Sequence, residues 1–287
     1  MIKKPFRFGI VTDSINPSRS AWIALARRAE ELGYTTLHLP DSTPTAALTS
    51  MAVAATATTT LRVGSFVFVN DYRNPALLAR EIATLDRLSD GRVELGLGAG
   101  NWPLDFQQLG IPFEQAAVRF SRFKESFSII KEFFSSEVVN FSGNYYTVKD
   151  LQGCPSSVQR PHPPIFIGSG GRRMLTLAAH EADIIAPIAQ TPEELEEKIG
   201  WIQNAAGERF EHLTFSQSIF DIELTDSPVA ASPLPQENIP GGSRPMTREQ
   251  AIEYLEQQRE KYGFSYFYLR ERQLENFAPA LTHLNGK

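Results

Sequence analysis

Residues 6–39 read FRFGIVTDSINPSRSAWIALARRAEELGYTTLHL, and this stretch decides the fold class. Phe6–Thr12 is a short apolar run of the kind that forms a buried strand. Arg19–Leu32 then changes period: Ala21, Leu25, Ala29 and Leu32 return on one helical face, and Gly33 ends the helix. Thr35–Leu39 is apolar and extended again. Strand, helix and strand within so few residues predict a parallel βαβ unit.

The same alternation continues outward. Helical patterns are expected over Pro44–Thr59, Asn74–Leu88, Ala116–Phe134, Arg172–Glu181, Pro192–Ala205, Thr247–Tyr262 and Glu271–Leu284. Strands are expected at Leu61–Val69, Val93–Leu97, Ile165–Gly168, Asp183–Ala186, Thr214–Leu224 and Tyr266–Leu269. Eight strands alternating with helices predict an α/β fold, a (β/α)8 TIM barrel, with a doubly wound sheet as its rival. No linker divides the chain, so residues 1–287 are expected to form one domain. Two stretches depart from the alternation. Val138–Val148 alternates around Ser142-Gly143-Asn144 as a hairpin, inside an insertion spanning 138–164 after the fourth helix. Residues 226–245 hold five prolines and Gly241-Gly242, a candidate lid on the face where barrel sites lie.

Composition narrows the function classes. The 287 residues are 42% hydrophobic and 21% charged, with 28 basic against 33 acidic side chains and a net charge of −5. That balance argues against a nucleic-acid partner, which selects a basic face. Cys154 is the one cysteine, so no internal disulfide forms, and its place before Pro155 suits an inert thiol. No stretch approaches the roughly 18 apolar residues of a membrane span, and the basic N-terminus lacks the apolar core of a signal peptide. A cytoplasmic protein is the expectation. His38, His162, His180, His212 and His283 are scattered without ligand spacing, so no metal site is expected.

Four segments carry candidate chemistry. Pro163–Arg173 (PPIFIGSGGRR) runs a strand into three glycines and a serine and then opens a helix. Free amides at a helix start, with two arginines nearby, suit a phosphate; a glycine turn for close packing is the other reading. Leu95–Trp102 (LGLGAGNW) lacks the third glycine of a dinucleotide fingerprint, and Pro103 breaks the helix that should follow. In a barrel it becomes a strand end where backbone approaches a flat ligand. There Trp102 either stacks on that ligand or caps the core. Val63–Val67 ends the third strand. Asp41-Ser42 ends the second, either as catalytic groups or as a helix cap before Pro44.

Taken together, these motifs resemble the bacterial luciferase-like monooxygenase superfamily. The resemblance rests on Arg80–Trp102, with its Leu85-Asp86-x-Leu88-Ser89-x-Gly91-Arg92 turn and its Gly96-x-Gly98-x-Gly100 strand end. Leu109–Phe113, Arg119, Gly168–Arg172, Ala182-Asp183, Gly263–Tyr266 and Phe277–Pro279 extend it over nearly the whole chain. The branch it looks most like uses the deazaflavin coenzyme F420, with FMN as the alternative. The resemblance implies a homodimeric barrel acting on a small-molecule substrate, and the short loop after strand two suggests an open pocket for a bulky natural-product or peptide substrate. The resemblance also implies a coenzyme ring against Ser65, Phe66 and Val67, with a cis peptide at Phe66–Val67. Ala99, Gly100 and Asn101 would border ring or substrate, and Gly168, Ser169, Gly170, Gly171 and Arg172 would hold the phosphate. Trp102 and Tyr72 would shape an apolar, aromatic substrate pocket.

Three departures matter for catalysis. The branch carries Asp-His where this chain has Asp41-Ser42, and a glutamate where it has Asn101. A Gly-Thr/Ser-x-Glu segment is replaced by residues 240–246. Asp41, Ser42 and Asn101 are therefore the candidate catalytic positions, with a reduced acid–base set. Three functions follow: an F420-dependent oxidoreductase moving a hydride to or from C=C, C=N or alcohol carbon, an FMN-dependent monooxygenase, or a degenerate barrel that binds without turnover.

Overall fold

A computed structural model describes residues 3–13, 17–42, 44–154, 157–226 and 243–287. The strands are β1 (Arg7–Val11), β2 (Thr36–Leu39), β3 (Arg62–Ser65), β4 (Phe68–Val69), β5 (Val93–Gly98), β6 (Val138–Ser142), β7 (Thr147–Gln152), β8 (Ile165–Ser169), β9 (Ile184–Pro187), β10 (Thr214–Ser218), β11 (Ile222–Leu224), β12 (Arg244–Met246) and β13 (Phe264–Arg270). The α-helices are α1 (Arg19–Glu31), α2 (Ala47–Ala57), α3 (Pro75–Leu88), α4 (Pro103–Gln108), α5 (Ala116–Ser135), α6 (Arg172–Glu181), α7 (Pro192–Ala206), α8 (Arg248–Tyr262) and α9 (Leu274–Leu284). The large sheet runs β3-β2-β1-β13-β10-β9-β8-β5, and β5 also pairs with β3, which makes the fold a (β/α)8 barrel.

The chain divides into two compact units: Met1–His38 with Phe166–Lys287, and Leu39–Ile165. In the first, β1 pairs with β13 in parallel, Arg7 opposite Tyr266 through Val11 opposite Arg270. Both strands are buried nearly throughout, as strands covered on both faces must be. Phe8 stacks on Phe267 at 6.0 Å and meets Phe277 of α9 at 6.3 Å. Helix α8 begins at a Thr247/Gln250 capping box and ends at Gly263, whose φ of 77° favours glycine.

In the second unit, α3 starts at Asn74, which accepts from the amides of Ala76 and Leu77, with Pro75 in the first turn. Helix α5 buries Phe123, Phe127, Ile130, Phe133 and Phe134. The turn that carries the family resemblance is a scaffold. Arg92 donates to the carbonyls of Ser89, Leu61 and Ala55, and Gly91 takes a φ of 80°. Asp86, fully buried, accepts from the Gln159 side chain at 2.7 Å and its amide at 3.1 Å. The hairpin of β6 and β7 forms antiparallel where expected.

Several boundaries differ from the sequence reading. The third strand breaks into β3 and β4 around Phe66-Val67. The expected seventh strand breaks into β10 and β11 around Ile219–Asp221. Pro103 does not break a helix; it starts α4, where its missing N–H has no partner to lose. The proline-rich stretch lies outside the described residues over 227–242. Its flanks are tied, because β11 and β12 pair in parallel and the Thr225 amide donates to the Met246 carbonyl at 2.9 Å.

Candidate functional site

The second unit holds the strand-end bulge. The Phe66–Val67 peptide is cis, at the pair the resemblance implies. Phe66 and Val67 are half-buried, whereas Ser65 is fully buried. The Ser65 hydroxyl donates to the Gly96 carbonyl at 2.8 Å and accepts the Gly96 amide at 3.0 Å, so it fastens β3 to β5. The glycines of β5 have a steric reason. A Cβ at Gly96 would lie 2.1 Å from the Ser65 carbonyl oxygen, and one at Gly98 would lie 2.7 Å from Val67. At Gly100, with φ of 79°, it would meet Phe106 at 2.7 Å and Val69 at 2.8 Å. These glycines therefore make room for the bulge and for Val69 and Phe106 beside it.

Asp41 clamps this bulge. It is neither the helix cap nor an open acid: α2 starts at Ala46 without a side-chain cap. One carboxylate oxygen accepts from Arg73 at 2.7 Å and from the Val69 amide at 3.1 Å. The other accepts from Arg73 at 2.8 Å. The Arg73 guanidinium also lies 4.9 Å over the Phe68 ring. A bidentate pair of this kind fixes both partners. Ser42 is exposed, and its carbonyl accepts the Thr45 amide.

Around the bulge, Tyr72 meets Phe106 edge-on at 5.1 Å. Burial, followed by the Asp105 and Asp41 carboxylates, pushes its phenol up to about 12, so it stays protonated at neutral pH. Ala99 and Gly100 are half-buried, Asn101 is exposed and Trp102 is 70% exposed. Trp102 thus leaves its indole open and does not cap a core.

The first unit holds the glycine turn. At the end of β8, Gly168 and Ser169 are half-buried, and beyond it Gly170, Gly171 and Arg172 are exposed. The Ser169 hydroxyl accepts the Gly171 amide at 3.0 Å and shapes the turn. Helix α6 begins at Gly171 with no side-chain cap. The first amides of a helix require an acceptor from outside it, and the helix dipole favours an anion there. Arg172 is held over the Trp201 ring at 5.5 Å. Exposed glycine backbone, an uncapped helix start and an arginine make a donor set that fits a phosphate.

Two residues with clear roles were not singled out from sequence. Arg73 gives no motif, since its partner lies 32 positions away. Lys198 had a readable signal: it shares the buried face of α7 with Leu195 and Ile202. Inside the first unit, His38, Tyr266 and Tyr268 are all fully buried, and His38 Nε2 lies 2.8 Å from the Tyr266 hydroxyl. Among the described residues, no group of three or more His, Cys, Asp or Glu could hold a metal. No helix among them is long and apolar enough to cross a membrane.

A family model described as luciferase-like monooxygenase matches residues 5–280. The chain belongs to that family. Solved structures of the same fold include the coenzyme F420-dependent tetrahydromethanopterin reductase of Methanopyrus kandleri, at 18% identity and a TM-score of 0.79, covering 98% of this chain and 100% of that one. An F420-dependent secondary alcohol dehydrogenase in complex with an F420–acetone adduct matches at 17% identity and 0.79, over 98% of each chain. A riboflavin lyase with modified FMN and riboflavin matches at 13% and 0.79, covering 98% and 92%. At these identities the likeness establishes the fold.

Proposed function

We propose that this protein is an F420-dependent oxidoreductase of the luciferase-like family, acting as a homodimer on a small organic substrate. The observation that carries the reading is the Gly168–Arg172 turn, whose open amides and uncapped helix suit a coenzyme phosphate. The preference for F420 rests on the resemblance of Arg80–Trp102 to that branch, and two of the structures named above use F420. When bound, the deazaflavin supplies or accepts the hydride.

In this reading Gly168, Ser169, Gly170, Gly171 and Arg172 hold the phosphate. Phe66 and Val67 back the ring, and Ser65 acts from behind by fixing their strand to Gly96. Ala99, Gly100 and Asn101 border the ring or substrate, and Tyr72 and Trp102 offer aromatic surface to the substrate. Asp41 positions the bulge through Arg73 and moves no proton. Ser42 and Asn101 remain the exposed polar groups for substrate contact.

A second reading is favoured by the engaged Asp41 and by Ser42 and Asn101 standing where the branch carries acid–base groups: a barrel that binds coenzyme without turnover. The test is anaerobic mixing of the protein and reduced F420 with a panel of enones, imines and ketones. Oxidation of F420 above the protein-free rate is expected. Binding without any rate enhancement would select the second reading. Oxygen uptake with reduced FMN would select a monooxygenase.

A further inference from the structure

We infer that Lys198 is a positioning residue that sets the preference of the Gly168–Arg172 turn for a phosphorylated coenzyme; this rests on the phosphate reading above. Lys198 stands in the middle of α7, where its neighbours on the same face, Leu195 and Ile202, are buried. Its side chain is 5% exposed. A buried ammonium is costly unless it is paired. The pairing found is local. Lys198 Nζ donates to the Ile188 carbonyl and to the Glu194 carboxylate one helical turn earlier. Glu194 also accepts the Gln190 amide, and its side chain is 36% exposed, so its charge is shared with backbone and water.

The ammonium lies directly beside the turn. A Cβ built on Gly170 would come within 3.2 Å of Nζ and 3.1 Å of the Ile188 carbonyl oxygen. Ile188 is itself tied to the turn, because its amide donates to the Ser169 carbonyl at 2.9 Å. Lys198, Ile188 and the Ser169–Gly170 backbone are therefore one connected piece. The arrangement places a partly neutralised cation beside the exposed Gly170 backbone, in the same turn that carries Arg172 and the uncapped α6 start. Glycine at 170 suits this approach, since a Cβ there would make the Ile188 carbonyl or the ammonium give way by a few tenths of an ångström.

A lysine that only stapled the 188–191 loop would affect every ligand alike. A lysine that supplies charge to the turn affects only ligands that carry a phosphate there. The test is a set of binding titrations with two matched pairs: F420 against the same deazaflavin lacking the phosphate, and FMN against riboflavin. Wild-type protein is expected to prefer the phosphorylated member of whichever pair it binds. K198M should lower that preference about tenfold, the scale of one unit charge acting on a phosphate across several ångströms near a protein surface. It should leave the phosphate-free member unchanged. K198R should restore the preference. E194Q keeps the lysine and removes its counter-charge, so it should strengthen the preference, which supplies a readout if K198M does not fold.

Equal weakening of both members of a pair by K198M, or no effect on either, would overturn the role assigned to Lys198 while leaving the turn intact. Failure of E194Q to strengthen the preference would count against it as well. If wild-type protein showed no preference for phosphate in either pair, the phosphate reading of the turn would fall, and the inference with it.

Discussion

Replacing Asp41 by asparagine separates a structural clamp from a catalytic acid. The Asp41 side chain is 4% exposed and that of Arg73 is 27% exposed. Its carboxylate receives three donors, two from Arg73 and one from the Val69 amide. Asparagine keeps one acceptor oxygen and turns two N–H donors toward the guanidinium. Breaking a buried ion pair from one side costs about 3–5 kcal/mol. Arg73 recovers some hydration through its exposed quarter, so the low end applies, about 3 kcal/mol. R73M leaves the Asp41 charge buried without its partner and should cost a similar amount. The D41N/R73M double variant should fall well short of the sum, with a coupling of about 2 kcal/mol, because both changes remove one interaction. Urea denaturation followed by circular dichroism measures all four proteins. A D41N protein within about 0.5 kcal/mol of wild type, the scatter of an ordinary surface substitution, whose turnover nevertheless collapses would show that Asp41 acts on substrate and is no clamp.

Other outcomes follow from the same geometry. G96A forces a methyl group to 2.1 Å from the Ser65 carbonyl oxygen, so a loss above about 4 kcal/mol or insoluble protein is expected on expression trials. G200A adds a methyl into open space within α7 and should raise stability by about 0.5–1 kcal/mol in the same urea assay. Glu125 is pushed up by partial burial, but the amides of Tyr145, Asn144 and Tyr146 outweigh this and hold its carboxyl below the usual range. Its support of the hairpin is therefore complete above the ordinary carboxylate pKa of about 4.3 and lost as pH falls through the lower folded value. Amide exchange protection at 144–146 should decline over that acid window in wild type and be low at every pH in E125Q.

The barrel was legible because its signals are periodic and local. A stretch such as Phe6–Leu39 changes from strand to helix and back within the reach of short-range patterns, and Gly33 and Gly263 mark helix ends by their φ. The interruptions were not legible, because tertiary demands create them. No local pattern in Leu61–Val69 signals the break at Phe66-Val67; the family resemblance alone pointed to that pair. The glycines of Gly96-x-Gly98-x-Gly100 were visible, but the atoms that require them belong to Ser65, Val67 and Phe106. Asp41 was visible as a polar residue at a strand end; only its distance to Arg73 shows that the carboxylate is occupied. Pro103 was misread because proline disrupts a helix interior yet suits its first turn.

The Gly168–Arg172 turn is proposed to hold the phosphate of a deazaflavin coenzyme. A parallel fluorescence titration of the purified protein with F420 and FMN tests it most directly. Micromolar binding of F420, weaker binding of FMN, and loss of F420 affinity when Gly170 and Gly171 are both replaced by alanine are expected. Binding of neither coenzyme, or F420 binding indifferent to the double alanine change, would contradict this assignment.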